Sequence, residues 1–141
     1  MVLIKIISFI IFLSTALIAD IKVVNNTGSK KSSYIKTLKG EKKIFVSSRD
    51  FGSSLSSRLY ENAERKKLVL YILGKRIKVS AGTSFLIIDD NPYQMIDAVQ
   101  EYNGDLYVPA ESFFDILRKV AIPGLRYDKR KEVLEFDVIR Y

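Results

Sequence analysis

With 141 residues, 48% of them hydrophobic and 28% charged, the chain is too apolar to be disordered and too short for a multidomain enzyme; one globular unit that buries about two-thirds of its unfolded surface is expected. It contains neither Cys nor His, which removes disulfides, the usual zinc and copper ligands, a Ser-His-Asp triad and a Cys-His pair. The formal net charge of +7 suits adhesion to anionic cell-wall polymers or lipid headgroups, and it also serves plain solubility.

Residues 1–19 differ in kind from the rest. Lys5 precedes an apolar run, Ile6 to Ile18, that Ser8, Ser14 and Thr15 interrupt and Ala19 ends before Asp20. That is the pattern of a signal peptide rather than of a membrane-spanning helix, which needs about twenty apolar residues and suitable flanks. Export in bacteria, to the periplasm or the outside of the cell, fits a protein that lacks cysteine. Asn25-Asn26-Thr27 matches an N-glycosylation acceptor, a triplet common by chance and discounted here.

A first strand is expected at 21–24, followed by a polar loop to Ser33. Beyond Tyr34 turn signals recur at short spacing, at Lys39-Gly40, Gly74-Lys75, Asp89-Asp90-Asn91 and Asn103-Gly104, and separate runs rich in β-branched and aromatic residues. Strands are predicted near 34–38, 42–47, 68–73, 76–80, 84–88, 93–97, 98–102, 105–108 and 132–139. A first helix is predicted from Phe51, Leu55 and Leu59 at i, i+4 and i+8, with Ser47 or Ser48 as N-cap. In a second, Phe113, Leu117 and Val120 form the apolar stripe, Pro109 occupies the first turn, and Pro123-Gly124 ends it.

These elements repeat. Ile44-Phe45-Val46-Ser47-Ser48-Arg49-Asp50-Phe51 returns as Leu106-Tyr107-Val108-Pro109-Ala110-Glu111-Ser112-Phe113, 62 positions on (106 − 44), and each copy leads to a charged turn beside an aromatic, Tyr60-Glu61-Asn62 and Tyr127-Asp128-Lys129. The fold expected is α+β: a mainly antiparallel sheet of short hairpin-linked strands with two short helices, built from two similar strand-helix-strand halves. The domain organisation expected is 1–19 signal peptide, 20–33 N-terminal strand and polar loop, and 34–141 a domain of two repeats, about 34–80 and 84–139.

Tyr107-Val108-Pro109-Ala110 before a helix, preceded by Asn103-Gly104 and followed by Tyr127-Asp128 and a last strand, resembles the copper amine oxidase-like N-terminal domain, also called the stalk domain, over about residues 34 to 138. Arg65-Lys66-Lys67-Leu68-Val69-Leu70-Tyr71, Gly74-Lys75-Arg76-Ile77-Lys78 and Asp89-Asp90-Asn91-Pro92-Tyr93-Gln94-Met95 look like the version that precedes the catalytic domain of some secreted bacterial N-acetylmuramoyl-L-alanine amidases. The resemblance implies an accessory module without copper or oxidase chemistry, joined to a separate zinc-dependent hydrolase that would follow Tyr141. The chain is accordingly expected to be a piece of a longer protein rather than a free-standing module.

No catalytic, cofactor-binding or metal-binding residue is expected. Asp50, Asp97, Glu101, Asp105, Glu111 and Asp115 are carboxylates that no spacing pairs for a small cell-envelope glycosidase. Asp89-Asp90-Asn91 lacks the further ligands of a calcium loop and reads as a hairpin turn. Candidate polymer-binding residues are Tyr60, Tyr93 and Tyr127, whose rings can stack on sugars, and the basic Lys66, Lys67, Lys129 and Arg130. Half-buried Tyr is also what strands ordinarily contain. The partner expected is peptidoglycan or another envelope polymer, or an envelope protein, and not nucleic acid; membrane contact is expected only through an uncleaved signal segment. The alternative is a structural spacer or a protein-interaction module, with a homodimer formed through an exposed sheet edge.

Overall fold

The computed structural model describes residues 20–26, 32–40, 42–55 and 57–137. The signal-peptide segment, Thr27 of the glycosylation triplet, most of the polar loop and the end of the last expected strand lie outside these. In chain order the elements are β1 (Ile21–Asn25), β2 (Ser32–Ile35), β3 (Thr37–Gly40), β4 (Lys43–Ser47), α1 (Ser48–Ser54), β5 (Arg58–Asn62), β6 (Lys67–Ile72) and β7 (Lys75–Ser80). There follow β8 (Phe85–Ile88), β9 (Asn91–Gln94), β10 (Gln100–Tyr102), β11 (Asp105–Pro109), α2 (Ala110–Val120), β12 (Leu125–Asp128) and β13 (Val133–Phe136). The fold is α+β, with three sheets ordered β12-β13-β1-β2, β10-β11-β4-β3 and β5-β6-β7-β8-β9. Every pairing is antiparallel except β1 with β13.

The repeat is a pseudo-two-fold axis. β4 and β11 pair antiparallel with Val46 opposite Val108, and those two residues are each other's equivalents in the repeat. The flanking hairpins match in register: Lys39 lies opposite Ile44 as Glu101, 62 positions on (101 − 39), lies opposite Leu106. Both helices begin at the expected junction. Ser47 caps α1, its hydroxyl accepting from Asp50 N at 3.1 Å, whereas Pro109, expected in the first turn of the second helix, is the extended last residue of β11 and stands at the N-cap of α2 without a side-chain cap. The equivalent rings Phe51 and Phe113, both wholly buried, meet edge to face across the axis with centroids 5.1 Å apart, an arrangement the ring quadrupole favours. They anchor a core that all three sheets share.

Four expectations are corrected. The first helix stops at Ser54, and Leu59 belongs to β5. Serine is a weak helix former that bonds to nearby backbone, and here Ser57 donates from both its amide and its hydroxyl to the Gly52 carbonyl, at 3.0 and 2.8 Å. The strand at 34–38 is two strands in two sheets, divided at Lys36, whose amide donates to Asp50 Oδ2 at 3.0 Å. The turn predicted at Lys39-Gly40 falls after Gly40, with Lys42 at φ 60°. Finally, the equivalence of the second hairpins is 66 positions (128 − 62) rather than 67: Asn62 Oδ1 accepts from Arg65 N, and Asp128 Oδ1 accepts from Lys131 N, both at 3.1 Å. Lys66 and Glu132 then share the same left-handed backbone, φ 53° and 54°.

The Asn103-Gly104 turn falls where expected, the Gly74-Lys75 turn lies one residue earlier at Leu73-Gly74, and of Asp89-Asp90-Asn91 the last residue already belongs to β9. The three turns share a geometry: Leu73-Gly74, Asp89-Asp90 and Asn103-Gly104 all have positive φ at both residues, and its twist matches paired strands.

Candidate functional site

A concavity of about 630 Å³ runs between the first turns of α2, strand β12 and the segment after β9, walled by Ile96, Glu111, Asp115, Ile116, Tyr127 and Lys129. Ile96 stands on its rim, its amide donating to Ser112 Oγ at 3.3 Å. The Tyr127 ring packs on Phe114 with centroids 4.9 Å apart, and its hydroxyl is buried without a hydrogen-bond partner. Burial, assisted by the negative charge of Glu111, Glu132 and Asp128, pushes this phenol up to about 12. A proton held so firmly makes Tyr127 a poor general base at neutral pH.

A second recess, beside the Asn103-Gly104 turn, is lined by Arg49, Glu61, Lys66, Lys67 and Asp105. Arg49 closes it, donating to Glu61 Oε1 and Oε2 at 2.5 and 3.1 Å and to the Gly104 carbonyl at 2.9 Å. That hydrogen bond to Glu61 is the main reason the guanidinium lies above its ordinary value. Asp105 is buried behind it; Oδ2 accepts from the Ser47 hydroxyl and Oδ1 from Leu106 N at 2.8 Å. Both oxygens serve the junction between the halves.

The remaining carboxylates of interest are held in ion pairs within the chain. Asp97 meets Lys43 at 2.9 Å, Glu101 meets Lys66 at 3.2 Å and Glu111 meets Lys129 at 2.9 Å. Asp115 accepts from Lys119 and Arg118, both at 2.9 Å, and these bonds draw it below the usual carboxylate range. Asp50 accepts the Lys36 amide. Asp89, in the β8–β9 turn, is lowered chiefly by the Arg76 amide and bridges to Lys75 at 3.3 Å, so this turn is a hairpin device. Such groups are structural charges, not a poised acid and base, which would need divergent environments facing one cleft.

The seven candidate polymer-binding residues do not form one cluster. Tyr127 and Lys129 share the α2 groove, Lys66 and Lys67 share the second recess, and Arg130 is exposed in the β12–β13 turn. Tyr93 is partly buried against the core from β9, whereas Tyr60 on the edge strand β5 is 62% exposed. Reasoning from sequence passed over Arg58 and Lys78, because the strand pairing that puts them beside Tyr60, Tyr71 and Lys67 was not visible in it.

The family model of the copper amine oxidase N-terminal domain matches residues 16–122. The chain belongs to this family. No curated protein and no solved structure matches it. The copper amine oxidase N-terminal domain is a non-catalytic accessory domain, and the donors present do not fit the metal in the family's name. The chain has no His and no Cys, and among the described residues no three acidic groups converge on one point. Among the same residues no helix is long and apolar enough to cross a membrane. In this member of the family the match begins upstream of the expected repeats and takes in β1 and β2.

Proposed function

We propose that this chain is an exported, non-catalytic accessory domain that positions a cell-wall hydrolase, an N-acetylmuramoyl-L-alanine amidase, on peptidoglycan. The observation that carries the reading is membership of an accessory-domain family by a chain in which Asp97, Glu101 and Glu111 are held in ion pairs of its own. The signal-like segment and the net charge of +7 support it. The mechanism is effective concentration: a tethered hydrolase meets an insoluble polymer at a far higher local concentration than a free one. The test is co-sedimentation of the chain with insoluble peptidoglycan across a salt series. Retention is expected to survive about 0.15 M salt, where the Debye length is about 8 Å; loss of all binding there would remove the wall-targeting reading.

One observation favours a second reading, a protein-interaction module that dimerises. β5 is an edge strand with no neighbour beyond it, and its sequence Arg58-Leu59-Tyr60-Glu61 is self-complementary when laid antiparallel on a copy of itself, Arg58 against Glu61 and Leu59 against Tyr60. Light scattering that finds a stable dimer without polymer affinity would favour it.

A further inference from the structure

The five-stranded sheet has one buried face and one open one. Leu68, Leu70, Ile77, Val79, Leu86 and Ile88 point to the core. The register sets the opposite residues in three rows: Arg58, Tyr71 and Arg76; then Tyr60, Val69, Lys78, Ile87 and Pro92; then Asn62, Lys67, Ser80, Phe85 and Gln94. None of these positions is acidic, and Asp89, which continues the first row beyond Arg76 in the β8–β9 turn, is paired with Lys75. Arg76 is tied to Asp90 at one end, but Arg58, Lys67 and Lys78 form no ion pair with any described residue. Around the two recesses, by contrast, Arg49, Lys66 and Lys129 are each paired, while Lys67 stands where the sheet face meets the second recess. Between the free cations stand Tyr60, Tyr71 and Phe85, at 62%, 48% and 46% exposure.

Leaving cations unpaired and aromatic rings open on one flat surface does nothing for stability, and exposed apolar area grouped in this way marks an interaction site. Five strands about 4.8 Å apart make a surface about 20 Å wide, long enough for an extended chain to lie across. The spacing of charge selects its chemistry. A nucleic-acid duplex carries one charge per about 1.7 Å of its axis, far denser than cations separated by neutral rings. A glycan that carries short acidic peptides at intervals separates its carboxylates by uncharged sugar rings, and those rings offer apolar faces to Tyr60 and Tyr71.

We infer that the outer face of the β5–β9 sheet is the polymer-binding surface and that it takes peptidoglycan, a glycan whose peptide substituents carry the carboxylates. The inference rests on the function proposed above and assigns its surface: Arg58, Lys67 and Lys78 meet carboxylates while Tyr60 and Tyr71 carry sugar rings. The α2 groove and the β12–β13 turn lie outside it.

The test is retention on insoluble peptidoglycan at about 0.15 M salt, made with the full chain and with residues 20–141, which carry every described element. Two variants alter only exposed or partly exposed positions of this face: Tyr60→Thr with Tyr71→Thr, and Lys67→Glu with Lys78→Glu. Each is expected to weaken binding by about tenfold while circular dichroism stays unchanged, and the charge-matched control Arg130→Glu with Lys131→Glu is expected to stay within about twofold. If the parent chain binds and the face variants bind as well as it does, the surface is wrong and the wall-targeting function stands. A control that loses as much as the face variants also overturns the surface. If the parent chain does not bind, or prefers duplex DNA or anionic phospholipid vesicles at the same salt, both the function and the surface fall.

Discussion

Asp105 shows how a single polar side chain organises the joint between the halves. Its carboxylate receives the Ser47 hydroxyl, and the same hydroxyl accepts from Asp50 N, so one serine both caps α1 and satisfies a buried acid. Ser47→Ala removes the cap and strands a carboxylate oxygen, and is expected to cost about 2–3 kcal/mol, read as a lower urea midpoint with an unchanged slope. Gly124 is constrained differently. A Cβ there would run into the Asp137 carbonyl, a backbone atom fixed by the bond from Asp137 N to Gly124 O. Gly124→Ala is therefore expected to destabilise by about 1–3 kcal/mol, against near-neutrality for alanine at Gly40, which has open space. The tyrosines set the alkaline limit. Burial pushes both Tyr107 and Tyr127 up to about 12, so the fold favours the neutral phenols. Because the folded values lie above the unfolded value of about 10, this stability is complete below pH 10 and is lost as pH rises from there through about 12. Tyr127→Phe, which also removes a hydroxyl that has no partner, is expected to shallow that alkaline loss in thermal melts taken across the interval.

At the scale of elements the pseudo-two-fold relation has an electrostatic signature. Lys39 on β3 bridges to Glu132 in the β12–β13 turn at 2.6 Å, and the equivalent positions, Glu101 on β10 and Lys66 in the β5–β6 turn, bridge at 3.2 Å with the charges exchanged. The helices differ in sign alike, though their partners are not equivalent positions: Arg49 reaches forward to Glu61, and Glu111, its equivalent, to Lys129. Each pair ties an element of the central sheet or its helix to the β5–β6 or the β12–β13 hairpin. Lys39→Glu alone is expected to destabilise, and Lys39→Glu with Glu132→Lys to recover part of that loss, with a coupling of about 0.5–1 kcal/mol in a double-mutant cycle. The repeat itself was legible in the sequence because Val46/Val108 and Phe51/Phe113 are buried at matching positions, and burial limits what can replace them. β5 and β12 were not legible. β5 is almost wholly exposed and has no apolar alternation, and β12 is four residues whose aspartate was read as part of a turn. The open face was invisible for a related reason: its residues come from strands as far apart as 58 and 94, and only pairing register collects them.

The molecule as a whole is closed by its N-terminal strand, a role that the division into a leading segment and a later two-repeat domain does not convey. β1 lies parallel to β13, Lys22 beside Val133 and Asn25 beside Phe136, and antiparallel to β2 on its other side. Ile21 and Val23 are about as buried as any residue in the core, at 1% exposure each. Parallel pairing requires strands distant in sequence, so no local pattern around residue 21 announces it. Removing residues 20–33 would withdraw two core side chains worth about 1.5–3 kcal/mol each, and would leave β13 an unpaired edge with Leu134 and Phe136 uncovered. Against a total stability of about 5–15 kcal/mol for an ordinary domain, that loss takes most of the margin. A chain beginning at residue 34 is therefore expected to lose its cooperative urea transition or to aggregate through the opened edge, while one beginning at residue 20 keeps a single sharp transition. Equal midpoints for the two would mean that β1 is an ornament on a fold complete without it, and the shared core would then have to be redrawn around the two repeats alone.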